Sequence, residues 1–206
     1  MVWCDTRKII FIHIPKTGGT TIEHSIWGKD GPSPACGYFV RCELLEDGTK
    51  PKKAVQHYTC NEYKKFYPEK YRFYWKFSIV RHPYRRYISD KFWNPVLKKL
   101  TIDESLDLIE IIVNNSRYND NIYYDHFMPQ TLFIYDENDN LMVDKLFKYE
   151  HYKDIPKELK LSFINVERKT QIGTNKNLVI LTENQKERLN KLYSRDFELL
   201  GYSNKN

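Results

Sequence analysis

This 206-residue sequence contains no apolar run near the roughly 18 residues that a membrane-crossing helix requires. Its opening stretch, MVWCDTRKIIFIHIPK, lacks the marks of a secretory signal: the apolar run is short and no small-residue cleavage site follows it. For a chain read as complete, the expected compartment is cytoplasmic, and the missing leader and anchor weigh against the Golgi lumen. Cysteine is scarce. Cys4, Cys36, Cys42 and Cys60 include no C-x-x-C pair, which excludes the zinc-ribbon and thioredoxin-type signatures. Reduced, isolated thiols are expected, with a Cys36–Cys42 bridge left open for an oxidising compartment. No two of His13, His24, His57, His82, His126 and His151 have the H-x-x-x-H spacing of a helical metal site, so no metal is expected. Internal repeats and linker-like stretches are also missing, and a single domain over residues 1–206 is expected.

The composition that remains is globular, with 41% hydrophobic and 15% aromatic residues, enough for a sizeable core. The net charge of +6 is unevenly distributed. Residues 50–99 hold 14 Lys/Arg against 3 Asp/Glu, whereas residues 101–150 hold 3 against 11. A basic middle segment calls for an anionic partner. Nucleic acid, a nucleotide and an acidic polysaccharide all fit that charge. Arginines gathered into one motif, however, point to a discrete anion site more than to a stripe.

Patterning predicts alternating strands and helices. Lys8–Ile14 and Phe73–Val80 read as buried strands, Lys145–Tyr149 as a further strand, and Ala54–His57 as a short one. Helices are expected over Thr20–Trp27, Thr59–Phe66, Tyr84–Leu97 with a kink near Pro95, Thr101–Asn115, part of Glu150–Leu161, and Thr182–Leu200. Capping boxes are expected at Thr59/Glu62, Thr101/Glu104 and Thr182/Gln185. Ile102, Leu106, Ile109 and Val113 share one helical face. Thr131–Tyr135 and Leu141–Val143 flank DENDN and predict a hairpin. Gly28–Gly48 reads as irregular. The expected fold is α/β, a single domain whose central, mainly parallel sheet is flanked by helices.

The stretch FIHIPKTGGTT, residues 11–21, departs from a nucleotide P-loop, G-x-x-x-x-G-K-[ST], because Lys16 precedes the glycines and no lysine follows them. A strand–turn–helix with glycines at the turn still gathers backbone N–H groups and a helix N-terminus around one point, the geometry that binds phosphate or sulfate. Gly18 and Gly19 permit close approach, Thr17, Thr20 and Thr21 offer hydroxyls, and Lys16 offers a mobile charge. Kinases and ATPases add magnesium held by a carboxylate at another strand end. The second strand here ends Ser78-Ile79-Val80-Arg81 instead, which favours phosphate chemistry with cations supplied by the protein.

In FSIVRHPYRRYISDKF, residues 77–92, Arg81 stands at a strand end and Arg86 and Ser89 follow on the next helix. Arg81 and Ser89, separated by a proline turn, are placed to reach one phosphate, for which the planar, permanently charged guanidinium is suited.

With these two motifs in place, the sequence resembles the sulfotransferases that use 3′-phosphoadenosine 5′-phosphosulfate (PAPS), in particular their carbohydrate branch. H-I-P-K-T-G-G-T-T is similar to that family's 5′-phosphosulfate loop. V-R-H-P-x-x-R-x-x-S is similar to its 3′-phosphate motif. DHFMPQ, residues 125–130, and LYSRDFELLGY, residues 192–202, resemble later blocks of the branch. The resemblance implies a P-loop-like α/β fold, PAPS as the donor cosubstrate and a hydroxyl-bearing acceptor such as a glycan. Lys16 would lie beside the departing bridging oxygen, and Arg81, Arg86 and Ser89 would hold the 3′-phosphate. Nucleic acid is then not needed as a partner. In AVQHYTCNEYKKFY, His57 occupies the place where many members carry a histidine, and it is the candidate general base, with a structural histidine as the alternative. NVERKTQIGT resembles a late basic loop, which makes Arg168 and Lys169 further candidate ligands. Two other readings stay open: a P-loop-type nucleotide or small-molecule kinase, and a non-catalytic polyanion binder.

Overall fold

The computed structural model describes residues 3–27, 55–115, 124–160 and 179–204. Cys36 and Cys42, whose bridge the sequence leaves open, the irregular Gly28–Gly48 segment, and Arg168 and Lys169 lie outside these residues. The chain divides into two compact units, Met1–Val80 with Leu132–Val166, and Arg81–Thr131 with Glu167–Asn206.

The first unit is built on a four-stranded sheet in the order β1-β2-β3-β4, from Trp3–Cys4, Ile9–Ile12, Trp75–Val80 and Lys145–Lys148. β1 pairs antiparallel with β2, while β2, β3 and β4 run parallel. This is the expected α/β class with a mainly parallel sheet. The central strands read as near-continuous apolar runs because both of their faces are covered. Ile10, Phe11, Ile12, Phe77, Ile79 and Val80 are all fully buried. Phe11 stacks on Phe77 at 4.9 Å, and Phe77 meets Phe147 edge-on at 6.0 Å, so aromatic contacts join three neighbouring strands. The buried Ser78 hydroxyl in β3 donates to the Ile12 carbonyl at 2.7 Å.

Helix α1, Gly19–Trp27, follows β2 after a six-residue turn, as expected. Helix α2, Cys60–Phe66, starts at the predicted capping box, with Thr59 Oγ1 accepting from the Glu62 N–H and Glu62 Oε2 accepting from the Thr59 N–H. Pro68 does more than end it. With its φ already set and no N–H to satisfy, it opens a second helix, α3, Pro68–Phe73. Phe73 therefore belongs to α3, and the strand begins at Trp75. The strand expected over Ala54–His57 is corrected: Val55–His57 is a 3₁₀ turn with no ladder partner, and its Gln56 side chain reaches α1.

In the second unit, α4, Pro83–Lys91, is shorter than expected, because Asn94 and Lys91 organise a turn around Pro95 in place of a continuing helix. Asn94 Oδ1 accepts from the Val96 and Leu97 N–H groups, and Lys91 Nζ donates to the Leu97 and Leu100 carbonyls. Helix α5, Ile102–Asn114, has its predicted capping box and buries Leu106, Ile109 and Ile112, one step from the expected Val113. A short α6, Tyr124–Phe127, follows. The hairpin expected around DENDN is corrected too. Thr131–Ile134 is a helical turn, α7, and Tyr135↔Leu141 is an isolated bridge. The Asp136 carboxylate accepts from the N–H groups of Asn138 and Asn140, closing a side-chain turn where a ladder would have started. In the first unit, after β4, the chain makes a 3₁₀ segment, Tyr149–Asp154, and α8, Ile155–Leu159. The expected terminal helix is two, α9, Glu183–Leu192, and α10, Ser194–Leu199, because Tyr193 leaves helical geometry to send its hydroxyl to the Phe127 carbonyl at 2.8 Å. Tyr84, Tyr87, Leu106, Ile109, Leu189 and Phe197 are among the residues of the second unit's core. Among the described residues no helix is long and apolar enough to cross a membrane.

Cys60 is fully buried at the start of α2, where its Sγ donates weakly to the Met142 carbonyl at 3.8 Å. Burial pushes its thiol up to about 12, against a smaller opposing effect of the Tyr71 hydrogen bond. Since the thiolate is the reactive form, iodoacetamide at pH 8 should leave Cys60 unmodified in the folded protein and label it in denaturant, as read by peptide mass mapping. Rapid labelling of Cys60 in the native state would contradict this environment.

Candidate active site

β2 ends at Ile12, and His13–Gly18 turn the chain into α1. Two backbone positions make the turn possible, Lys16 at φ 69° and Gly18 at φ 87°, both left-handed. That conformation costs a non-glycine residue on the order of 1 kcal/mol, so Lys16 is held there by its surroundings. Thr17 is fully buried, and its hydroxyl donates to the Ile14 carbonyl at 2.8 Å. In this structure its proton staples the turn. Thr20 and Thr21 are half-buried in the first turn of α1, and the Thr21 N–H bonds the Gly18 carbonyl at 3.2 Å.

Both glycines are tightly enclosed. A Cβ on Gly18 would lie 2.9 Å from ring carbons of Tyr149 and of Tyr152, and one on Gly19 would lie 2.3 Å from His13 Cδ2 and Nε2. Tyr152 also donates its hydroxyl to the Gly18 carbonyl at 3.0 Å, and burial pushes that phenol up to about 12, so it remains a neutral donor. The two tyrosines follow β4, and sequence reasoning missed them. The available signal was topological, since residues just past the carboxyl end of a parallel strand gather where ligands bind.

His13 is buried beneath this turn. Its Nδ1–H donates to Glu23 Oε1 at 2.8 Å, and Gln56 Nε2 donates to Glu23 Oε2 at 3.0 Å. Burial raises the Glu23 carboxyl, but attraction to His13 and the hydrogen bonds from His13 and Gln56 outweigh it, leaving the group below its ordinary range. His57, next to Gln56, is half-buried, and its ring meets the His13 ring edge-on at 5.4 Å.

In the second unit, Arg81 directly follows β3 and is half-buried. Its backbone is fixed on both sides by one amide: the Arg81 N–H donates to Gln130 Oε1 at 2.9 Å, and Gln130 Nε2 donates to the Arg81 carbonyl at 2.8 Å. Gln130 is anchored in turn by the fully buried Asp196, which accepts the N–H groups of Gln130 and Thr131 at 2.9 Å each, the Thr131 hydroxyl at 3.0 Å and Gln130 Nε2 at 3.2 Å. Burial holds the Asp196 carboxyl above the usual range despite Arg86 and these donors. The arginine motif, the HFMPQ block and the YSRDF block therefore meet in one hydrogen-bond chain.

Arg86 lies on α4. It is only 3% exposed, and Nη1 and Nη2 donate to the Met128 and His126 carbonyls at 2.9 and 2.8 Å. Its guanidinium braces the HFMPQ segment from within the second unit. Ser89 is half-buried on α4. His82 caps α4 and donates Nε2–H to the Ser203 carbonyl at 3.1 Å, and His126 donates Nδ1–H to Asp90 at 2.9 Å while lying flat on Trp93.

Residues 1–203 match the family model described as "Sulfotransferase family". No curated protein and no solved structure matches the chain.

Gly18→Ala and Gly19→Ala should each destabilise the protein by about 1–3 kcal/mol in urea unfolding, the first through backbone strain and the tyrosine rings, the second by displacing His13. Near-neutral effects would contradict the enclosed turn. Glu23 supplies a pH test. A carboxyl held below its unfolded value stabilises the fold above that value and loses the effect as pH falls through the folded one. The stability gap between wild type and Glu23→Gln should therefore be level at neutral pH and close below about pH 4.5. A gap that widens on acidification would show the opposite shift.

Proposed function

The chain belongs to the sulfotransferase family, and from that premise we propose that it moves a sulfonyl group from PAPS to a hydroxyl on a carbohydrate, with residues 1–206 working as one sulfotransferase domain. The observation that carries this reading is the turn between β2 and α1. Left-handed Lys16 and Gly18 bend the backbone from β2 directly into the N-terminus of α1, and a helix N-terminus after such a turn suits an anion. Lys16, Gly18, Gly19, Thr20, Thr21 and the backbone of Thr17 take the 5′-phosphosulfate. Arg81 and Ser89 take the 3′-phosphate. The clamp of Gln130 and Asp196 on the Arg81 backbone supports this assignment, since an arginine fixed at its main chain delivers its fork with less entropy to lose.

The acceptor hydroxyl oxygen forms a bond to sulfur as the bond from sulfur to the bridging phosphate oxygen breaks, in line and through a loose transition state like that of phosphoryl transfer. The hydroxyl proton passes to the neutral imidazole of His57. Lys16 offsets the charge that develops on the leaving 3′-phosphoadenosine 5′-phosphate. The products are a sulfate ester, that nucleotide and a protonated base, so atoms and charge balance. Because lysine and arginine supply the positive charge, the reaction needs no metal.

Two measurements test this. Arg81→Ala should weaken 3′-phosphoadenosine 5′-phosphate by roughly 10- to 150-fold in titration calorimetry, the worth of a charged hydrogen bond of about 1.5–3 kcal/mol, while 5′-AMP, which lacks the group, changes little. Equal weakening of both nucleotides would refute the assignment. His57→Ala should lower kcat about 10²–10⁴-fold on unsulfated glycans such as desulfated heparin or chondroitin, with nucleotide affinity within about threefold. Near-normal turnover would place the base elsewhere.

A further inference from the structure

A buried carboxylate directly beneath an anion-binding turn opposes the binding of any anion there, yet Glu23 stands one helical turn into α1 with its side chain 12% exposed. Its hydrogen bonds show what it holds. Oε1 accepts from His13 Nδ1–H, the residue where β2 gives way to the turn, and both carboxylate oxygens lie within 3.2 Å of Gln56 Nε2. One carboxylate thus ties three separate segments: the end of β2, the first turn of α1 and the 3₁₀ turn Val55–His57. His13 has little freedom inside this arrangement. Phe11 stacks on one face at 5.4 Å, Gly19 leaves no room for so much as a methyl group beside Cδ2 and Nε2, and the His57 ring stands against it edge-on, 89° from coplanar. The residue joined to Glu23 by its amide, Gln56, immediately precedes His57 in the chain.

We propose, resting on the reading of His57 as the base, that Glu23 acts through Gln56 and His13 as a positioning residue that presents the His57 imidazole in one orientation beside the anion-binding turn. Glu23 touches neither substrate. Gln56 fixes the backbone that carries His57, and the His13 ring, locked by its Nδ1–H bond to Glu23, forms the wall against which the His57 ring rests. Losing the carboxylate frees both supports together. A base displaced by an ångström or so loses in turnover, at a cost of up to about 10²-fold, without loss of donor affinity, because Lys16 and the backbone N–H groups of the turn are left in place.

A double-mutant cycle tests this, with labelled PAPS as donor and desulfated heparin or chondroitin as acceptor. Glu23→Gln, which keeps shape and removes charge, should lower kcat about 10- to 100-fold with the nucleotide Kd changed less than threefold. In a His57→Ala background the same substitution should cost less than about twofold, because the group it positions is gone. Gln56→Leu should behave alike, and it carries the test should Glu23→Gln fail to melt cooperatively. A Glu23→Gln loss that repeats in full without His57, or turnover within twofold of wild type, overturns the proposal and leaves the base assignment standing. Near-normal turnover of His57→Ala alone overturns the base assignment, and this proposal with it.

Discussion

The parallel pairing of β2 with β3 is the constraint on which the rest of the site depends. Its register sets Ile12 opposite Ser78, and the Ser78 hydroxyl bonded to the Ile12 carbonyl pins that register inside the sheet. A slip of one residue would turn Phe11 and Phe77 to opposite faces and bury a different set of side chains. Parallel strands release their chains at the same edge, which is where open α/β sheets bind ligands. β2 leaves that edge into the Lys16–Gly19 turn and β4 leaves it into Tyr149 and Tyr152, whose rings close on Gly18. β3 ends at Val80, and the next residue is Arg81.

Each unit has a carboxylate, largely withdrawn from solvent, that gathers hydrogen-bond donors. Asp196 gathers the main chains of Gln130 and Thr131, and through Gln130 it fixes the main chain of Arg81. Glu23 gathers His13 and Gln56 in the other unit. Each is costly to bury and each is supplied with donors, the condition under which a buried charge is tolerated. The neutral phenol of Tyr152 and the Thr17 hydroxyl do the same work for the carbonyls of the turn.

Local signals read well from the sequence alone. Capping boxes at Thr59, Thr101 and Thr182 all form, because each needs only residues three apart. The strand–turn–helix around Lys16 was legible because glycines after an apolar run have few other uses. Signals that depend on partners distant in the chain were not. Nothing in RHPYRRYIS reveals that the Met128 and His126 carbonyls will take the Arg86 guanidinium. Val55–His57 looked like a strand until Glu23 offered Gln56 a partner. Thr131–Tyr135 has strand-forming residues, but Asp196 caps its start and Asp136 closes the turn after it. The four motif blocks were visible separately, and the contact of three of them through Gln130 and Asp196 belongs to the tertiary structure.

The account centres on sulfonyl transfer driven by protein cations. Its most direct test is to incubate the protein with ³⁵S-labelled PAPS, unsulfated glycans and excess EDTA, and to follow label and nucleotide together. The account predicts a labelled glycan formed in equal amount with 3′-phosphoadenosine 5′-phosphate, at a rate the chelator leaves unchanged. Transfer abolished by chelation and restored by magnesium, or phosphate passed from ATP to an acceptor with no sulfate moved from PAPS, would contradict it.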